Sequence, residues 1–260
     1  MDYSEKVILI TGASSGIGRA VALAMSPYNN KITITARRQS LLEETAGLVR
    51  KNGSECVPIA GDALDASHSD DVVNDMVKRH GRIDIALLNV GGGPASNTLT
   101  AARETIIHCM RANYESMINF YCPLIRQMKR QDSKCMIALT NSLATYFGIP
   151  MQGDYAAAKA AARIFLETAR MELKHFGYKH IVIQTIHPGF VDTDTVRNDG
   201  IPAPNEISEE KAAEYVLQGI KKEMRENLFP PSMKWSTRFG MVVPHRFLTH
   251  VLLSQAPKDY

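Results

Sequence analysis

Residues 6–25 constrain this chain most. An apolar run, Lys6-Val-Ile-Leu-Ile-Thr11, breaks into a loop carrying Gly12, Ser14, Ser15, Gly16, Ile17 and Gly18, then into an alanine-rich helical stretch stopped by Pro27. A short, unbroken apolar run reads as a strand buried on both faces of a parallel sheet. Glycine lets the backbone approach a ligand closely, and a helix start offers unpaired N–H groups and a positive dipole end. Together these make an anion site, expected here to cradle the phosphates of a nucleotide. The spacing is GxxxGxG rather than the GxGxxG of the dinucleotide fingerprint. A tight connection is the competing reading, but a strand before and a helix after favour the phosphate.

The pattern then repeats. Strands are predicted at 31–36, 55–60, 83–89, 135–139 and 180–186, with a short one at 228–229. Helices are predicted at 39–52, 70–79 (capped by Ser69), 101–130 as one long element, 153–176 and 208–226. Strand–helix alternation six times over argues an α/β fold with a doubly wound parallel sheet of Rossmann type. With no linker or repeat, 260 residues form a single domain. Residues from about 192 to 260 are expected to be a lid or tail on the substrate side. The polar stretch 192–206 has the length of a functional lid or a disordered loop.

Arg37 and Arg38 follow the second strand, nineteen and twenty residues after Gly18. A dinucleotide fold places there a carboxylate for the ribose 2′-hydroxyl or an arginine for a 2′-phosphate. The strand ends in Ala36 and the next acid is Glu43. Arginine forks match phosphate bidentately, so NADP is the expected cofactor, with Arg37 as the main contact to the 2′-phosphate and Arg38 assisting. Two solvated arginines at a helix start are the plainer reading.

A second cluster carries chemistry. Tyr155 and Lys159 are separated by three alanines, the best helix formers, and four residues on a helix share one face. A free tyrosine titrates near 10, and an opposite charge within about 4–6 Å lowers such a value by about 1–3 units. The pair is therefore suited to passing a proton near neutral pH. Ser142 stands thirteen residues earlier, at the end of the 135–139 strand, where α/β folds place their sites. A chance YxxxK on a solvated helix face is common. Its weight comes from the residues around it.

Composition excludes other classes. Thirty basic residues against 27 acidic ones, well mixed and without long basic runs, do not suggest a nucleic-acid binder. No apolar run reaches the roughly 18 residues that span a bilayer. The amino terminus enters the first strand without a signal-like segment, so a soluble, cytoplasmic protein is expected. Cys56, Cys109, Cys122 and Cys135 form no CxxC and fall in apolar patterns, where a thiol acts as a small hydrophobe. The eight histidines show no metal spacing, and no metal is expected. His187 reads as structural, and Asp192 with Asp194 reads as a polar loop rather than a metal pair. The apolar tail at 239–253, interrupted by Pro244, His245 and Arg246, has three readings open: a pocket cover, a subunit contact or a membrane-surface element.

Taken together, TGASSGIG (11–18), Asp62, Asn89-Val-Gly-Gly92, Asn113, Ser142, YAAAK (155–159) and Pro188-Gly-Phe-Val-Asp-Thr193 resemble the short-chain dehydrogenase/reductase family in its compact branch, from about residue 5 to residue 230. The resemblance implies Tyr155 as general acid/base, with Lys159 lowering its pKa and binding the nicotinamide ribose. Ser142 would orient the substrate carbonyl and Asn113 would hold a relay water. Gly12 to Gly18 would cradle the pyrophosphate and Asp62 would meet the adenine. Asn89 and Gly91 would line the dinucleotide, and Pro188, Gly189, Val191 and Thr193 would flank the nicotinamide. It also implies a homodimer or homotetramer built on the helices at 101–130 and 153–176. Where the family often has a second asparagine and an alanine, this chain has Val90 and Gly91, a change expected to touch no catalytic atom.

The resulting expectation is an NADP(H)-dependent oxidoreductase interconverting a ketone or aldehyde and an alcohol. Leu143, Tyr146, Phe147, Ile149, Met151 and Phe190 suggest a bulky, apolar substrate. An NAD-dependent alcohol dehydrogenase and a non-catalytic NADP-binding regulator are the alternatives. The arginines count against the first, and the intact Ser–Tyr–Lys set counts against the second.

Overall fold

Seven parallel strands form one sheet: β1 (Val7–Thr11), β2 (Lys31–Ala36), β3 (Glu55–Ala60), β4 (Ile85–Leu88), β5 (Cys135–Thr140), β6 (Ile181–Pro188) and β7 (Glu226–Phe229), in the order β3-β2-β1-β4-β5-β6-β7. This computed structural model describes residues 1–197, 203, 205–254 and 256. The central strands split their side chains between two cores. Ile8 and Ile10 of β1 pack on one face with α1 (Gly16–Met25), α2 (Gln39–Lys51) and α8 (Glu209–Lys221). Val7 and Leu9 pack on the other with α3 (Ala66–His80), α5 (Ser116–Met128) and α6 (Gly153–His175). Both faces being covered explains why the central strands β1, β4 and β5 read as continuous apolar runs rather than alternating ones. A fully buried Ile or Leu contributes about 1.5–3 kcal/mol, and β1 holds three such side chains in Ile8, Leu9 and Ile10. The doubly wound Rossmann-type sheet is as expected.

The chain adds strands outward in one direction up to β3 and then returns to add β4 on the other side of β1, and an open α/β sheet binds ligands in the crevice at the carboxyl ends of the strands at such a switch point. The glycine loop follows β1 there, and the Gly91–Gly93 loop follows β4.

Several local expectations are corrected. The helix expected at 208–226 ends at Lys221, and Glu226 already belongs to β7. The predicted helix 101–130 is divided into α4 (Arg103–Met110), a π-helical turn (Arg111–Glu115) and α5. Helix α3 begins at Ala66, four residues before the expected start. Its cap is Asp65, whose Oδ1 accepts the Ser67 N–H at 2.9 Å, while Ser69 is buried inside the first turns. Cys122 is exposed, unlike the other three cysteines. The tail is helical rather than irregular, forming α9 (Pro231–Gly240) and α10 (His245–Ser254). Within the expected 192–206 loop lies a short helix, α7 (Asp194–Arg197); positions 198–202 and 204 fall outside the described residues.

Candidate active site

The glycine loop is shaped by close approach. A Cβ on Gly18 would lie 2.5 Å from the Gly12 carbonyl oxygen and 2.7 Å from Asn89 Nδ2, so no other residue fits without moving backbone. Asn89 ties this loop to the end of β4. Its main-chain N–H donates to Thr11 Oγ1 at 2.9 Å and its amide to the Gly12 carbonyl at 3.5 Å. Ser15 caps α1 without using its side chain, leaving the first-turn N–H groups without a side-chain cap. The Thr193 methyl closes over Gly16. The exclusion of a Cβ at Gly18 and the open N-terminus of α1 fit a dinucleotide pyrophosphate.

Arg38, not Arg37, reaches this loop. Its guanidinium donates to Ser14 Oγ at 3.1 and 3.3 Å and also to Ser15 Oγ. Arg37 is exposed and makes no hydrogen bond or ion pair among the described residues. This corrects the expectation that Arg37 leads and Arg38 assists. Rotation of the two arginines about the strand end decides which one turns inward. Asp62, beyond β3, is exposed and accepts the Leu64 N–H at 3.0 Å.

Lys159 is a buried ammonium. It is 3% exposed, and its Nζ donates to the Thr140 carbonyl at 3.1 Å. Burial pushes it down to about 8. The same ammonium lies 5.6 Å from the centroid of the Tyr155 ring, one helical turn away, as the YAAAK spacing requires. Tyr155 is partly exposed, while the buried Lys159 ammonium lies against Gly91 in the loop after β4. Asn141 Nδ2 donates to the Lys159 carbonyl at 3.1 Å, locking α6 to the end of β5 just before Ser142. Ser142 then starts a short 3₁₀ turn, its Oγ accepting the Ala144 N–H at 3.1 Å.

Asn113 sits at the centre of the π turn, 1% exposed. Such single π turns are frequent at functional sites. Both amide hydrogens are used: Nδ2 donates to the carbonyls of Gly92 and Cys109, each at 2.9 Å. Its Oδ1 accepts the Gly92 N–H at 2.8 Å. A relay water on Asn113 would therefore be held by Oδ1 or the main-chain carbonyl, never by the amide N–H.

The Gly91 departure is not remote from these atoms. Its φ is +150°, and an added Cβ would lie 2.6 Å from Asn113 Oδ1 and 2.8 Å from Lys159 Nζ. The expectation that this position touches no catalytic atom is corrected: the missing methyl makes room for the buried amide and ammonium. Gly91→Ala is expected to destabilise the fold by about 1–3 kcal/mol, the scale of a residue forced into a sparse backbone region. Urea unfolding measures it, and an unchanged midpoint would show that the loop relaxes.

His187 is structural, and its role is now specific. Fully buried and pushed down to about 4 by burial, its Nδ1 is 3.1 Å from the Ser142 carbonyl, to which a neutral ring donates. Tyr146 packs on it at 5.2 Å, and Arg163 lies 5.3 Å above the Tyr146 ring. Tyr146 thus braces the Ser142 loop from beneath. Pro188 ends β6, the Gly189 N–H donates to the Phe229 carbonyl at 2.8 Å, and Val191 is buried beside Ile207. Asp192 and Asp194 clamp Arg197 at 2.5 and 2.9 Å.

A phosphate cradle after β1, a crevice at the β1/β4 switch point and a Tyr–Lys pair on the helix after β5 define a nucleotide-binding oxidoreductase. The family model described as short chain dehydrogenase matches residues 6–202, and the chain belongs to that family. An uncharacterised oxidoreductase of Listeria monocytogenes is 30% identical over 75% of this chain and 77% of its own length. Another, from Myxococcus xanthus, is 25% identical over 94% and 95%. A short-chain dehydrogenase/reductase of Burkholderia phymatum, solved with NAD, superposes at a TM-score of 0.85 and 20% identity over 100% of this chain and 99% of that one, a likeness of fold. The alcohol dehydrogenase of Thermococcus sibiricus, solved with 5-hydroxy-NADP, gives 0.76 at 25% identity over 86% and 94%.

Proposed function

We propose that the protein is an NADP(H)-dependent reductase or dehydrogenase acting on a carbonyl–alcohol pair, with Tyr155 as its general acid/base. The observation that carries this is the buried Lys159 ammonium beside Tyr155, at the base of the crevice that the glycine loop opens. A nicotinamide dinucleotide, when bound, supplies or accepts the hydride at the substrate carbon. Tyr155 gives the proton to the substrate oxygen in reduction and takes it back in oxidation. Lys159 favours the ionised phenol through its charge and reaches the ribose. The Ser142 hydroxyl, held in register by Asn141 and His187 on either side, donates to the developing alkoxide; such preorganised donors are usually the largest catalytic term. Asn113 fixes the loop that separates the crevice from the core.

Phe147 and Ile149, partly exposed, form one wall of the substrate space, and the ring of Phe147 closes on Gly240 of α9. Tyr146 is withdrawn from that wall by its contact with His187. The substrate is accordingly bulky and apolar, with the tail as a second wall. Assaying a panel of aliphatic and aromatic ketones and aldehydes by NADPH absorbance tests the reading. Absence of turnover across the panel, with intact dinucleotide binding, favours the non-catalytic regulator.

Cofactor choice rests on Arg38. A charge-assisted hydrogen bond to the 2′-phosphate contributes about 1.5–3 kcal/mol, and no carboxylate at Ala36 opposes it. Arg38→Ala is expected to weaken NADPH by about tenfold to a hundredfold and leave NADH nearly unchanged, with Arg37→Ala the milder variant. Titration of both dinucleotides decides: equal loss for both makes Arg38 structural, and wild-type preference for NADH overturns the assignment.

A further inference from the structure

The chain's charge is unevenly placed. Residues 1–226 hold equal numbers of acids and bases, so the formal +3 arises wholly in the last 34 residues. Between Asn227 and Lys258 there is no Asp or Glu, while Lys234, Arg238 and Arg246 stand on or beside the described tail helices. None of these three is in an ion pair among the described residues, and Lys234 and Arg238 instead flank the Trp235 ring at 5.8 and 5.5 Å.

The same segment is where apolar surface is left uncovered. Trp235 is 64% exposed, Phe239 61% and Val242 79%, with Met241, Phe247 and Leu253 all above half. On α9 and the turn after it, positions 235, 239 and 242 follow a helix period and share one face. Helix α10 has no buried residue. Its Leu248 packs inward on Gly240, leaving Phe247 and Leu253 outside. An apolar stripe with an exposed tryptophan, bordered by cations and free of acids, is the composition of an element that lies in a membrane interface. No helix among the described residues is long and apolar enough to cross a bilayer, so the contact is with one surface.

We propose that the outer face of α9 and α10 docks on an anionic lipid bilayer. Charge selects this occupant over a second copy of the chain, because a two-fold contact would bring the same uncompensated cations together across the interface, whereas acidic lipids neutralise them. Each cation near an anionic surface contributes about 1 kcal/mol, or about fivefold in partition.

Trp235 is the chain's one tryptophan, so intrinsic fluorescence reports this face directly. The full-length protein is mixed with phosphatidylcholine vesicles, with or without about 30 mol% phosphatidylglycerol, at low salt. Expected are at least about tenfold stronger co-sedimentation with the anionic vesicles, a blue shift of Trp235 emission, and release by high salt. Lys234→Glu with Arg238→Glu abolishes the preference. Phe239→Ser with Val242→Ser weakens binding to anionic vesicles. Unchanged dinucleotide binding in each variant shows that it is folded. Three results overturn the proposal: no co-sedimentation, equal binding to neutral vesicles, or a lipid-independent blue shift that grows with protein concentration and is lost in Phe239→Ser, which would make this face a contact between copies.

Discussion

Tyr155→Phe leaves a folded protein that still binds its dinucleotide while turnover falls by at least about 10²-fold, the usual scale for loss of a general acid. The substitution removes one oxygen and keeps the ring. The ring's place 5.6 Å from the Lys159 ammonium is therefore retained, so the loss reports what the hydroxyl itself does. A steady-state assay with the best carbonyl substrate, paired with a dinucleotide titration, reads it. Loss of kcat with unchanged dinucleotide affinity is expected. Near-normal turnover would mean that another group supplies the proton, with Ser142 the first to test.

Much of this was legible because the physics involved is local. The β1–glycine–α1 unit follows from an apolar run, three glycines and a helix former in succession, and β2 matches its expected residues because its alternating β-branched run is buried from Ile32 to Thr35. The Tyr155–Lys159 pairing follows from helix geometry alone. What escaped depends on tertiary packing. The π turn at Asn113 inserts no special residue: its amide meets the Gly92 N–H and carbonyl, 21 residues back in the chain, a pairing no local pattern announces, while its bond to the Cys109 carbonyl spans only one turn. Arg37 and Arg38 differ only in which way the strand end rotates. Gly91 reads as a flexible turn until the two buried polar heads against it are seen. The tail reads as irregular because Pro244 interrupts it, yet a proline at the start of a second helix is compatible with two short ones.

Lys159→Met is expected to have the widest effect of any single change, and to act in opposite directions on activity and stability. Turnover falls by at least about 10²-fold, since the cation that makes Tyr155 an effective acid/base is lost. Dinucleotide affinity falls by about tenfold to a hundredfold if one charge-assisted hydrogen bond to the ribose goes with it. Stability behaves differently. Burial holds Lys159 near 8 in the folded protein, against about 10.4 in an unfolded chain, so the unfolded state binds the proton more tightly. Below pH 8 both states are protonated and the full cost of burying the ammonium is present. Between pH 8 and about 10.4 the unfolded chain carries more protons than the folded one, and stability rises with pH as that cost is relieved. Methionine fills the space without a charge and has no such dependence. Its loss of the hydrogen bond to Thr140 is the same at every pH. The Tm of the dinucleotide-free variant relative to wild type should therefore be most favourable at pH 6–7 and decline steadily from pH 8 to 10. Melting curves of both proteins across that range test it, and a pH-independent difference would show that Lys159 is not desolvated, removing the basis for its role beside Tyr155.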